Sequence, residues 1–89
     1  MIEVNITISN KMGLHIRAAS LFVQAVTKYK SIIKIIKNNF EIDGKSIISI
    51  ILLGVECGCK LKFIIDGPDE TEVLSTIKNL FSSKENSKI

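Results

Sequence analysis

A chain of 89 residues, 46% hydrophobic and 24% charged, has the make-up of one compact domain, with no room for a second core and too apolar for a disordered segment. A net charge of +3, an aromatic content of 6% and scattered lysines argue against a nucleic-acid partner. The longest apolar run, IISIILLGV, is too short to span a membrane, and the N-terminus lacks the basic and apolar regions of a signal peptide, so no membrane partner is expected.

Val4, Ile6 and Ile8 alternate with Asn5, Thr7 and Ser9, the period of a half-buried strand, until Asn10, Lys11 and Gly13 break it. From about Ile16 to Tyr29 the spacing is helical. Ala19, Phe22, Val23 and Val26 share one face, and Lys28 and Lys30 are expected in the last turn, where cations suit the helix dipole. SIIKIIK, residues 31–37, reads as a second strand. Asn38-Asn39 is a two-residue turn that tolerates positive φ, and Phe40-Glu41-Ile42 returns as a third strand.

Asp43-Gly44 is the next break. SIISIILL, residues 46–53, fits a buried strand or a short helix, and Ser46 in N-cap position favours the helix. After Gly54 and Gly58, Lys60 to Ile65 forms a fourth strand. Gly67-Pro68-Asp69 leads into a last helix with Asp69 and Glu72 at capping-box spacing and Val73, Leu74, Ile77, Leu80 and Phe81 on its core face. Residues 1–82 form the single domain and residues 83–89 a polar tail.

The order β-α-β-β-α-β-α has short turns that require antiparallel neighbours and helices that need a sheet to cover their apolar stripes. It predicts an α+β open-faced β-sandwich, a four-stranded antiparallel sheet with three helices on one face. A ferredoxin-like split β-α-β layout would give nearly the same string.

The stretch MGLHIRAAS, residues 12–20, holds the only histidine and the only arginine of the chain, while eleven lysines lie elsewhere. His15 falls at the N-cap or first turn of the first helix. Backbone amides at a helix start bind anions, and the dipole adds positive potential. The guanidinium of Arg17 matches phosphate oxygens with a fork that lysine lacks. An imidazole there can accept a phosphoryl group and hold it. Taken alone, an H-x-R at a helix start is more often a capping histidine beside a solvated charge. With no second histidine, no nearby acidic pair and no glycine-rich phosphate loop, no metal site or self-contained hydrolase is expected.

Residues 10–20, NKMGLHIRAAS, resemble the active-site segment of the HPr family of phosphocarrier proteins of the bacterial phosphoenolpyruvate-dependent phosphotransferase system, with its G-[LI]-H-x-R-P-A pattern. DGKSIISIILLGVECGCKLKF resembles that family's regulatory segment and DGPDETE its ending, so the likeness runs in one register over residues 1–82. It implies a carrier without enzymatic turnover, metal or cofactor. His15 would take a phosphoryl group on Nδ1 from the phosphoenolpyruvate-dependent first enzyme and pass it to a sugar-specific second component. Arg17 would balance the phosphoryl charge, and amides near Ile16, Arg17 and Ala18 would bind its oxygens.

Ala18 stands where the family has proline, a substitution that a branch linked to nitrogen regulation also tolerates, and Ile16 is bulkier than the family's alanine or threonine. Ser46 caps the second helix; by the resemblance it is also a site for an ATP-dependent serine kinase. Ile47, Ile48 and Ile51 are then partner-docking residues. The implied protein is a cytoplasmic monomer serving sugar transport. Its alternative is a regulatory module of the same fold that signals by protein contact, and a third reading is a ferredoxin-like ligand- or RNA-binding domain. Cys57 and Cys59, one residue apart, fit a reducing cytoplasm better than a structural disulfide, because a bridge between them is strained.

Overall fold

The computed structural model describes residues 1–9 and 12–81. Asn10 and Lys11, where the sequence breaks the first strand, and the tail expected over 83–89 lie outside the described residues. The elements are β1 (Ile2–Thr7), α1 (Ile16–Val26), β2 (Ile32–Lys37), β3 (Phe40–Asp43), α2 (Ile47–Leu53), β4 (Lys60–Asp66) and α3 (Glu70–Leu80). The strands form one antiparallel sheet in the order β1-β4-β2-β3. This is the expected open-faced sandwich. Its centre is β4 and β2 and its edges are β1 and β3, the reverse of a ferredoxin-like sheet, whose first and third strands are central.

The hairpin follows from two asparagines. Asn38 and Asn39 have φ of 50° and 70°, the left-handed pair that a type I′ turn requires, and Lys37 pairs with Phe40 across it. Strand alternation then sorts the faces. Ile33 and Ile35 of β2 and Leu61, Phe63 and Ile65 of β4 are buried under the helices. Lys34 and Lys62 stand on the open face, where they pair with Glu41 and Glu3 at 3.5 and 3.6 Å; exposed pairs like these contribute little.

Helix α1 buries Ala18, Ala19, Phe22 and Val26, and α3 buries Val73, Ile77 and Leu80. Phe22, Phe63 and Phe81 form a triangle with ring centroids 5.9 to 6.0 Å apart. Each pair adds roughly 0.5–1.5 kcal/mol beyond its buried area.

Two helix-end expectations need correction. Helix α1 stops at Val26, where Thr27 closes it by donating its amide and Oγ1 to the Val23 carbonyl at 2.9 and 2.5 Å. Lys28 and Lys30 therefore lie past the helix rather than in its last turn. Asp69 sits at the N-cap of α3 but makes no capping bond with its side chain. Its carboxylate reaches instead to the loop after α1. It accepts from the amides of Lys30 and Ser31 at 2.8 and 2.9 Å and from the Ser31 hydroxyl. Glu70 Oε1 takes over at the start of α3, accepting from the Gly67 amide at 3.3 Å.

The Ser31 hydroxyl first, and then the Lys30 and Ser31 amides, hold the Asp69 carboxyl below its ordinary value of 3.8, against the opposing effect of burial. A depressed folded-state value means that the ionised carboxylate stabilises the fold. The contribution is complete above the ordinary value and is lost as the pH falls below 3.8 through the folded-state value. Asp69→Asn should lower the melting temperature at neutral pH and flatten its fall as the pH drops below 3.8, as measured by thermal denaturation.

Candidate functional site

The loop before α1 is set by a close backbone contact. Gly13 has φ of +64°, and a Cβ there would lie 2.2 Å from the Val55 carbonyl oxygen and 2.8 Å from Glu56 Cα. The next amide, of Leu14, donates to that same carbonyl at 3.0 Å, while the Leu14 side chain enters the core. With Leu14 pinned inward, extended backbone at His15 (φ −77°, ψ −179°) turns the imidazole out at the helix start, half-buried.

His15 is the N-cap of α1. Its Nδ1 accepts from the Arg17 amide at 3.2 Å, and its carbonyl accepts from the Ala19 amide at 2.8 Å. A nitrogen that accepts a hydrogen bond presents its lone pair, so the neutral ring carries its proton on Nε2 and leaves Nδ1 as the nucleophilic atom. The amides of Ile16, Arg17 and Ala18 occupy the first turn, where an α-helix has no carbonyl for them. Electrophile, lone pair and donors therefore converge on one point if an anion enters.

The Arg17 side chain is exposed and makes no ion pair among the described residues. Ile16 is 69% exposed beside it. Ala18 is 1% exposed, so its methyl belongs to the core and only its amide faces the helix start. That amide is a donor which proline at this position would lack.

Ser46 caps α2 as expected. Its Oγ accepts from the Ser49 amide at 3.3 Å and its carbonyl from the Ile50 amide at 3.1 Å. Ser46→Ala should cost about 1 kcal/mol in denaturant unfolding, while Ser46→Asp, another good cap, should cost less.

The structure separates the three isoleucines expected to dock partners. Ile48 is 67% exposed, whereas Ile47 and Ile51 pack partly against the core beside fully buried Ile50. The helical repeat explains the split: positions 47, 50 and 51 share the inward face and positions 48 and 52 the outward one. Leu52, 80% exposed, is the residue that sequence reasoning missed, and its four-residue spacing from Ile48 was the available signal. Met12, 75% exposed, adds an apolar group three residues before His15. Helices α1 and α2 pack against one another, and Leu52 lines a groove with Lys37, Asn38, Phe40 and Ile42 beside the β2–β3 hairpin.

Among the described residues no group of three or more His, Cys, Asp or Glu is placed to hold a metal ion, and no helix is long and apolar enough to cross a membrane.

Comparison with known proteins gives one consistent result. Residues 2–83 match the family model described as PTS HPr component phosphorylation site. The phosphocarrier protein HPr of Treponema pallidum is 33% identical over 84 residues, covering 94% of this chain and 96% of that protein. The HPr-like protein Crh of Halalkalibacterium halodurans is 32% identical over 77 residues, covering 86% and 92%. The crystal structure of HPr-C-His from Thermoanaerobacter tengcongensis superposes with a TM-score of 0.91 at 42% identity over the whole of both chains. A second structure from that organism, an HPr dimer, matches at a TM-score of 0.71 and 41% identity, covering 93% of this chain and 100% of that one.

Proposed function

The chain belongs to the HPr family of phosphotransferase-system phosphocarriers, and from that premise we propose that His15 is its phosphoryl acceptor. Members of this family carry phosphoryl groups and are not catalysts. The donor is the phosphoenolpyruvate-dependent first enzyme of the system and the recipient a sugar-specific second component.

The observation that carries the reading is the bond from the Arg17 amide to His15 Nδ1, which presents that lone pair at the mouth of a helix. In the transfer, Nδ1 forms the new bond to phosphorus as the donor's bond to phosphorus breaks, and Nε2 keeps its proton. The Arg17 amide then passes from Nδ1 to a phosphoryl oxygen, joined by the amides of Ile16 and Ala18. The Arg17 guanidinium balances the charge and offers two parallel donors. Met12, Ile16, Ile48 and Leu52 supply apolar contact for partners, with Ile47 and Ile51 supporting them from beneath. The carrier works in the cytoplasm as a monomer.

A regulatory reading has one observation in its favour, the likeness to an HPr-like Crh protein. In it, Ser46 is phosphorylated by an ATP-dependent serine kinase, and the added charge at the start of α2 changes which partners dock.

Incubation with phosphoenolpyruvate and the first enzyme separates the two. Acid-labile phosphate mapped to His15 supports the carrier. An unlabelled protein, with a control carrier labelled by the same enzyme preparation, sinks it and favours the regulator.

A further inference from the structure

Cys57 and Cys59 take no part in the site described above, and both are free thiols. They flank Gly58 in a tight turn from Glu56 to Cys59, closed by the Cys59 amide donating to the Glu56 carbonyl at 3.1 Å. Gly58 has φ of +92°, the sign that a type II turn demands at its third residue. The turn closes Glu56 onto Cys59 and leaves the two cysteines separated by Gly58 alone, so both thiols lie on one four-residue turn.

The two sulfurs are held differently. Cys57 is exposed, and its Sγ donates weakly to the Ser9 carbonyl at 3.7 Å. Cys59 is half-buried, and its Sγ accepts from the Glu56 amide at 3.4 Å. One thiol is open to an incoming reagent and the second waits one residue away.

The same turn grips the segment that presents His15. Ile8 donates its amide to the Cys59 carbonyl at 2.8 Å and accepts from the Gly58 amide at 2.7 Å. On the other side the Leu14 amide donates to the Val55 carbonyl, and Gly13 lies against Glu56. The backbone of residues 55–59 is thus bonded both before and after the loop that ends at His15.

We propose that Cys57-Gly58-Cys59 is a dithiol redox site, closed to an intraturn disulfide by low-molecular-weight disulfides, and that its closure moves the Gly13–His15 backbone. The Cys57 thiolate attacks a disulfide RSSR, forming a mixed disulfide and releasing one RS⁻. The Cys59 thiolate then attacks Cys57 Sγ, the Cys57–SR bond breaks, and a second RS⁻ leaves. Two cysteine thiols are oxidised, RSSR is reduced to two RSH, and the cysteine protons end on the released thiolates. Closure must draw Cys57 Sγ from Ser9 and Cys59 Sγ from the Glu56 amide, which is where the strain reaches the turn's other bonds. A bridge across a single residue is strained, and strained, exposed disulfides are the readily reduced, regulatory kind. The turn is therefore a dithiol under reducing conditions and closes only under oxidative challenge.

The test uses dilute protein treated with oxidised glutathione and read by intact mass and thiol alkylation. Wild type should lose both free thiols and two hydrogens while remaining a monomer, and dithiothreitol should restore them. Cys59→Ser should stop at the glutathione adduct on Cys57. Amide resonances of Gly13, Leu14 and His15 should shift on oxidation of wild type and stay in place in the Cys57→Ser, Cys59→Ser double variant. Retention of both thiols, a stable glutathione adduct on wild type, or disulfide formation with unmoved Gly13–His15 resonances would each overturn the proposal. No readout involves phosphoryl transfer, so the result stands whether or not His15 is the acceptor.

Discussion

His15→Ala should remain folded and take up no acid-labile phosphate from the first enzyme. The fold survives because the imidazole is half-buried and its one side-chain bond is a cap, worth about 1 kcal/mol. Uptake is lost because the chain has no other histidine. His15→Asn sharpens the comparison: an asparagine oxygen restores the cap to the Arg17 amide but is no nucleophile, so stability should return to near wild type while uptake stays at background. Arg17→Lys keeps the charge and loses the fork, and should slow transfer roughly tenfold without abolishing it. Rapid-quench measurement of phosphoryl transfer beside thermal unfolding reads all three. Full uptake by either His15 variant would place the acceptor elsewhere.

Gly13→Ala should be the most damaging single-methyl change at the site. The left-handed φ alone costs an L-residue roughly 1–2 kcal/mol. The new Cβ would also sit 2.2 Å from the Val55 carbonyl oxygen, which is backbone and cannot rotate aside. The two loops must part, losing the Leu14–Val55 bond, for a total of about 2–4 kcal/mol. Gly54→Ala is the control: its φ is +70°, yet nothing lies within 4 Å of its Cβ, so it carries the dihedral cost without the collision. Denaturant unfolding should show Gly13→Ala well beyond Gly54→Ala. Because His15 is two residues on, phosphoryl transfer should also fall roughly tenfold to a hundredfold in Gly13→Ala, and stay near wild type in Gly54→Ala. Equal losses in the two variants would mean that the loop contact does not position His15.

What could be read from the sequence is what neighbours in sequence decide. Asn38-Asn39 forces a left-handed turn whatever surrounds it, and Ser46 caps the helix that follows it within three residues. His15 at a helix start, with Arg17 two residues on, needed only the break at Gly13 to be seen. The rest depends on partners far along the chain. Asp69 has the spacing of a capping residue, but its carboxylate meets Ser31, 38 residues away, and no local pattern announces that. The same distant contact organises the loop in which Lys28 and Lys30 were expected to be helical. The close approach of Gly13 to Val55 was equally invisible, since a glycine before a helix has many local uses. Leu52 was within reach of the helical repeat that chose Ile48, but a short run that is apolar at every position except Ser49 hides which face is outward.

The position of β4 in the sheet also dictates when this protein can exist. β1 pairs with β4 alone, and β2 reaches β1 only through β4. A nascent chain emerging from the ribosome has no sheet beyond the β2–β3 hairpin until Lys60–Asp66 has been made, by which point two-thirds of the polypeptide is waiting. An isolated hairpin is at best marginally stable. The apolar faces of β1, α1 and α2 therefore lack their sheet partner until β4, which lies between β1 and β2, has been made.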